Sequence, residues 1–228
     1  MSEEDVKIDP SDLGTKDFWD KRYEMELENF KTHGDEGEVW FGTSAETRIV
    51  KYLLDSKTDK EAKILDLGCG NGSVLRKLRS KGFKALKGVD YCQKAVDLSE
   101  AASRAEQEEE DGEDLVDILF EQLDITAPHP DFFSSSFNII LDKGTWDAMS
   151  LSEERQPRLD AYLALLHKSL SSDGRFVIFS CNFTIDELRE QFSSPGLELV
   201  CEVPAVHSFS FGGKQGVTST GAVFRKTS

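Results

Sequence analysis

The chain has 228 residues, enough to bury one substantial core, and its 38% hydrophobic and 31% charged residues exclude disorder throughout. The formal net charge of −16 disfavours direct nucleic-acid binding and suits a basic protein partner. No stretch approaches the ~20 apolar residues of a membrane helix, and the acidic start, Met1 to Asp5, lacks the basic and apolar regions of a signal peptide; the expected location is cytosolic, with the nucleus also open.

Residues 1–15 are polar and acidic, with Pro10 and Gly14, and read as a flexible tail ahead of a single domain over 16–228. Phe18, Trp19, Tyr23, Leu27 and Phe30 recur at helical intervals, with Thr15 or Asp17 as cap. Gly34, Asp35 and Gly37 end that helix, and Trp40-Phe41 follows on a turn. Thr43 or Ser44 can cap a second helix with Ile49, Val50, Leu53 and Leu54 on its apolar face. A strand over 62–67 leads into Gly68-Cys69-Gly70-Asn71-Gly72 and a helix ending near Ser80, with Gly82 behind it. Residues 85–90 read as a second strand, and Ala95, Val96 and Leu98 open a helix that dissolves into an acidic run over 106–114.

Residues 116–123 and 137–141 read as the third and fourth strands, a helix covers 157–170, and 175–180 reads as strand five. A short helix over 187–192 precedes two β-runs, 197–203 and 217–225, separated by Phe209-Ser210-Phe211-Gly212-Gly213. Strands alternating with helices predict an α/β doubly wound, mostly parallel sheet. The last two runs, with no helix between them, predict an antiparallel hairpin at one edge. The four cysteines and four histidines are scattered without zinc spacing, so no metal site is expected and the thiols are read as free. No heptad or large apolar surface segment stands out, which makes a monomer the expectation.

An acid stands at or just after each of the first four strands: Asp66, Asp90, Asp124 and Asp142. In an open α/β sheet these ends form the ligand crevice. A dinucleotide fingerprint needs glycine at the first, third and sixth places, and counting from Gly68 the sixth place is Ser73. The motif is instead D-x-G-x-G-x-G, from Asp66 through Gly68, Gly70 and Gly72. Asp66 would repel a pyrophosphate and hold an ammonium, which favours S-adenosylmethionine over NAD. Asp90, about 20 residues beyond the turn, is spaced for a ribose diol. Asp124 with Ile125 can bracket the adenine, and Trp40, Tyr91 and Asp142 complete the candidate cofactor set.

These motifs resemble the class I, seven-stranded, Rossmann-like S-adenosylmethionine-dependent methyltransferases. More narrowly, Val39 to Gly42, Leu65 to Gly72, Gly88 to Tyr91, Leu141 to Ala148, Ser180 to Thr184 and Phe209 to Gly213 resemble the protein-lysine methyltransferases that act on translation elongation factor 1-alpha. The resemblance implies a lysine of that basic protein as methyl acceptor. It also implies that residues after strand four meet the acceptor, so Asp142, then Asp147, is the candidate to orient the amine or take its proton. Trp146, Phe183, Phe209 and Phe211 are candidates for an aromatic channel around the lysine. Ordinary packing competes for Trp40 and these four aromatics, and a helix N-cap competes for Asp147. The alternatives to protein-lysine transfer are a small-molecule methyltransferase and a catalytically silent S-adenosylmethionine-binding subunit.

Overall fold

The computed structural model describes residues 9–109, 115–127, 136–193, 196–205, 209–211, 214–216 and 219–227. Its strands are β1 (Lys63–Leu67), β2 (Ala85–Asp90), β3 (Leu119–Gln122), β4 (Phe137–Lys143), β5 (Leu170–Ser180), β6 (Leu197–Glu202), β7 (Phe209–Phe211), β8 (Lys214–Gly216) and β9 (Thr220–Lys226). The helices are α1 (Lys16–His33), α2 (Gly42–Asp55), α3 (Ser73–Ser80), α4 (Gln93–Glu109), α5 (Thr145–Ser150), α6 (Arg155–Ser169) and α7 (Ile185–Phe192).

Seven strands form one sheet in the order β3-β2-β1-β4-β5-β9-β6, the doubly wound arrangement expected. The first five pair in parallel, and β9 runs antiparallel to both β5 and β6. The final strand therefore lies inside the sheet, and β6 takes the edge. Two short strands, β7 and β8, make a separate antiparallel hairpin within the segment read as a glycine-rich loop.

The pleat divides the apolar residues between two layers. Leu65, Leu67, Ile140, Phe176 and Ile178 pack with Trp146, Tyr162, Leu166, Leu188 and Phe192 from α5, α6 and α7. Ile64, Ile139, Leu141, Val177 and Phe179 pack with Ile49, Leu53, Leu75 and Leu78 from α2 and α3. Burial on both faces explains why β4 reads as a nearly continuous apolar run rather than an alternating one. A third cluster joins α1 to α4 through Tyr23, Leu27, Ala95 and Leu98.

Local corrections have local causes. The segment read as a tail is held at its end: Ser11 N–H donates to Leu151 O at 3.0 Å, and Asp12–Gly14 form a 3-10 turn. Residues 1–8 lie outside the described residues. Thr15 does cap α1, accepting from Phe18 N–H. Neither Thr43 nor Ser44 caps α2; Phe41 stands there with a left-handed φ of 64° and no side-chain cap bond. A short helix, α5, begins directly after Gly144, before the position at which Asp147 could have capped one. Helix α7 starts at Ile185, two residues before the expected start, because Thr184 and Glu187 form a capping box.

Arg48 ties the β6–β9 end of the sheet to α2. It is 4% exposed, and it donates to the carbonyls of Ser219 (2.8 Å), Pro204 (3.0 Å) and Val203. Its guanidinium lies 4.7 Å from the Phe179 ring centroid. No carboxylate forms an ion pair with it among the described residues; the three carbonyls, the Ser219 hydroxyl (3.1 Å) and the Phe179 ring offset the desolvation. Arg48→Ala leaves those carbonyls buried without donors, and is expected to lower unfolding free energy by about 3 kcal/mol, read as a shifted urea midpoint at unchanged slope.

Candidate functional site

The carboxyl ends of β1, β2 and β4 open into a cavity of about 440 Å³, a normal size for a small-molecule site. Its floor is the glycine turn. Gly68 and Cys69 N–H both donate to Val89 O, which lashes the turn to β2. Gly68 has φ 67°, and a Cβ there would sit 2.0 Å from Thr145 Oγ1. Gly70 has φ 55°, and a Cβ there would sit 2.5 Å from the Tyr23 hydroxyl. Both positions need glycine for conformation and for space. Gly72, expected at the cofactor, does not line the cavity. It starts α3 at φ 73°, and a Cβ there would meet the Phe120 ring at 2.8 Å, so its role is packing.

Asp66 is 3% exposed, makes no hydrogen bond with the described residues and, like Asp142, lies behind the cavity rather than among the residues that line it. Burial, reinforced by Asp142, Glu46 and Asp90 and opposed by Lys143, pushes its carboxyl up to about 8. Asp90 lines the cavity and accepts from Gly70 N–H (3.1 Å) and Cys92 N–H (2.9 Å). Burial raises it to about 6 despite those donors. Tyr91, Asp124 and Ile125 line the same wall, and Asp124 is oriented by Thr126, whose N–H and hydroxyl both donate to it.

The opposite wall is aromatic. Trp40 lines it, with Trp19, Tyr23 and Phe41, which were not foreseen as site residues. Trp19 and Trp40 meet edge to face at 4.9 Å. The Phe41 ring lies close over Gly144, whose φ of 95° and missing side chain make room for it. Lys143 donates to Trp40 O at 3.0 Å, so the Asp142-Lys143-Gly144 segment fixes this wall from behind. Two further ties hold the strap between α1 and α2: Asn71 donates to Glu36 O at 2.9 Å, and Arg22 pairs with Glu38 at 2.8 Å. The helical spacing of Trp19 and Tyr23 gave them an apolar face; only the packing of α1 on α4 turns part of that face to the cavity.

The acids after β4 differ from expectation. Asp142 is fully buried and does not line the cavity. It accepts from Thr145 N–H (2.9 Å), Trp146 N–H (2.9 Å) and the Tyr162 hydroxyl (2.7 Å). It is the acceptor for the first turn of α5, and burial still raises its carboxyl to about 7. Asp147 does line the cavity, but its oxygens are taken by Ser180 Oγ (2.6 Å), Cys181 N–H (2.7 Å) and Asn182 N–H (3.2 Å). It is not a helix cap; it stands inside α5 and pins the turn after β5.

Two of the aromatic channel candidates are core residues. Trp146 is 1% exposed, with ring centroids 5.2 Å from Tyr162 and 4.6 Å from Phe192. Phe183 is buried in the same cluster, and neither lines the cavity. The side chains of Phe209 and Phe211 lie outside the described residues, although their backbone forms β7.

The mixed sheet in this order, with a glycine turn after β1 and acids at the strand ends, is the setting of a methyltransferase domain, and the model of a family described as methyltransferase domain matches residues 58–216. The chain is 37% identical over 219 residues to EEF1A lysine methyltransferase 2 of Homo sapiens, covering 95% of this chain and 88% of that protein. It is 39% identical over 232 residues to protein-lysine N-methyltransferase efm4 of Schizosaccharomyces pombe, covering 94% of each. The chain belongs to this methyltransferase family, in the branch of the EEF1A lysine methyltransferase 2 and EFM4 proteins. Among solved structures, the N-methyltransferase NodS of Bradyrhizobium japonicum, in complex with S-adenosyl-L-homocysteine, has a TM-score of 0.60 at 17% identity, covering 91% of this chain and 98% of that one. That likeness is one of fold.

Proposed function

We propose that the protein is an S-adenosylmethionine-dependent protein-lysine N-methyltransferase whose acceptor is a lysine of elongation factor 1A. The observation that carries the cofactor assignment is the buried carboxyl of Asp66, without a hydrogen-bond donor among the described residues, just ahead of a glycine turn that lines the cavity and leaves no room for a Cβ. A buried carboxylate with no partner is costly, and an amino-acid ammonium would relieve it. Asp90, held by two backbone donors, keeps lone pairs for a ribose diol, and Asp124 with Ile125 is suited to the adenine edge. When bound, S-adenosylmethionine supplies an electrophilic methyl group on its sulfonium sulfur.

The acceptor assignment rests on the relatives named above and on the acidic surface, which suits a basic protein. The protein's own contribution is positioning and exclusion of water. Trp40 and Phe41, braced by Lys143 and Gly144, wall the cavity and keep a free amine away from bulk solvent, which lowers its pKa. Tyr23 closes the cavity over the glycine turn. The test is labelling of a cell lysate with tritiated S-adenosylmethionine and purified enzyme. One labelled band at the mass of the elongation factor, absent with Asp66→Ala, is the expected result. Label confined to low-mass metabolites would sink the protein-lysine reading.

A further inference from the structure

The turn after β5 is built more tightly than a connection needs. Asp147 receives three hydrogen bonds from Ser180, Cys181 and Asn182. Ser180 Oγ in turn accepts from Asn182 N–H (3.1 Å) and Phe183 N–H (2.9 Å). Phe183 is locked into the core, and Thr184 closes the capping box of α7. Every backbone donor from Cys181 to Thr184 is therefore committed, Thr184 N–H going to Glu187 at 2.7 Å. One side chain escapes this network: Asn182 is exposed, lines the cavity, and its carboxamide makes no hydrogen bond with the described residues. A rigid backbone that presents one uncommitted amide to a cavity is the arrangement expected of a contact to a ligand.

Resting on the lysine-transfer reading above, we propose that Asn182 contacts the acceptor amine and that Asp147 is the positioning residue that fixes Asn182. The carboxamide oxygen of Asn182 accepts one N–H of the uncharged lysine amine. The amine's lone pair stays free to form the new N–C bond, while the S–C bond breaks with its electron pair going to sulfur. Asn182 has no acidic proton and no basic lone pair at neutral pH, so it orients and does not titrate. Asp147 is saturated by donors and does not take the proton, which the amine gives to water at the cavity mouth before transfer. The same geometry favours a flexible alkyl amine: a single acceptor meets a single N–H and imposes no planar pairing.

The experiment combines kinetics with a binding readout that needs no protein substrate. With elongation factor 1A, Asn182→Ala is expected to lower kcat roughly 100-fold, with the S-adenosylmethionine Kd changed less than about twofold. Asp147→Asn is expected to lower kcat less, roughly tenfold, with a pH–rate profile parallel to wild type. Loss of a titrating limb in that profile would instead make Asp147 the base. Separately, n-butylamine added at high pH to protein saturated with S-adenosylhomocysteine is expected to shift the Asn182 side-chain amide signal, assigned by its absence in Asn182→Ala. If the elongation factor is labelled and Asn182→Ala keeps its kcat within twofold, the inference is overturned while the proposed function stands. If the factor is not labelled but butylamine shifts the amide, the substrate assignment fails and the Asn182 contact survives. Neither label nor shift overturns both.

Discussion

Asp66→Asn is expected to weaken S-adenosylmethionine binding by at least about 100-fold while leaving the empty protein as stable as wild type at neutral pH. The carboxylate is the charged partner of the ammonium, and removing one member of a buried charged pair costs about 3–5 kcal/mol. The apo protein behaves differently because its Asp66, without donors, is raised to about 8 and is therefore protonated at pH 7. A neutral amide replaces a neutral acid of the same shape. The pH dependence follows with a definite sign. A carboxyl raised from 3.8 to about 8 on folding binds its proton in the native state and loses it in the unfolded chain. Its contribution to stability is complete below pH 4 and is lost as pH rises through 8. Asp142, raised to about 7, and Asp90, raised to about 6, act in the same direction. Apo stability should fall between pH 5 and 8, with a smaller slope in Asp66→Asn. The ammonium favours ionised Asp66, so cofactor binding near pH 7 should release a proton and tighten as pH rises. Calorimetry in phosphate and in Tris, at equal pH, measures that proton; identical apparent enthalpies in the two buffers would contradict the assignment.

Asp142→Ala is expected to act on the fold first. The substitution leaves two backbone N–H groups and the Tyr162 hydroxyl buried without an acceptor. At about 1–3 kcal/mol for each of the three orphaned groups, the loss is about 3–9 kcal/mol, a large part of a domain's stability. Asp142→Asn keeps one acceptor oxygen and should lose roughly half as much. Thermal unfolding and urea midpoints decide the matter. If Asp142 were instead a proton acceptor for the substrate, both variants would keep the wild-type melting temperature and lose turnover. The geometry opposes that outcome, because the side chain does not reach the cavity.

Asp66 and Asp142 show how far a sequence motif carries. Both end a strand, both are aspartates, and in the sequence both read as acids on the same crevice. In the fold, among the described residues, one has no donor and the other has three. The difference comes from the helix that starts at Thr145: its first N–H groups need an acceptor, and Asp142 is three and four residues away. Trp146 and Phe183 failed as channel residues for a related reason. Their spacing is compatible with either the cavity or the core, and only the placement of Tyr162 and Phe192 puts Trp146 in the core.

The amino-acid sequence by itself determined the alternation of strands and helices, the doubly wound sheet, and the glycine turn with its acid two places ahead. These follow from local periodicity, backbone freedom and spacing, which a linear chain displays directly. Tertiary structure alone decided that β9 enters the sheet between β5 and β6, that α1 and the Trp40-Phe41 turn close the cavity, and which acids keep free oxygens. Those outcomes depend on donors and rings brought from distant positions: Ser180 reaches Asp147 across 33 residues, and Lys143 reaches Trp40 across 103. Hydrogen-bond capacity is assigned in space, so a residue's chemistry stays open until its partners are known.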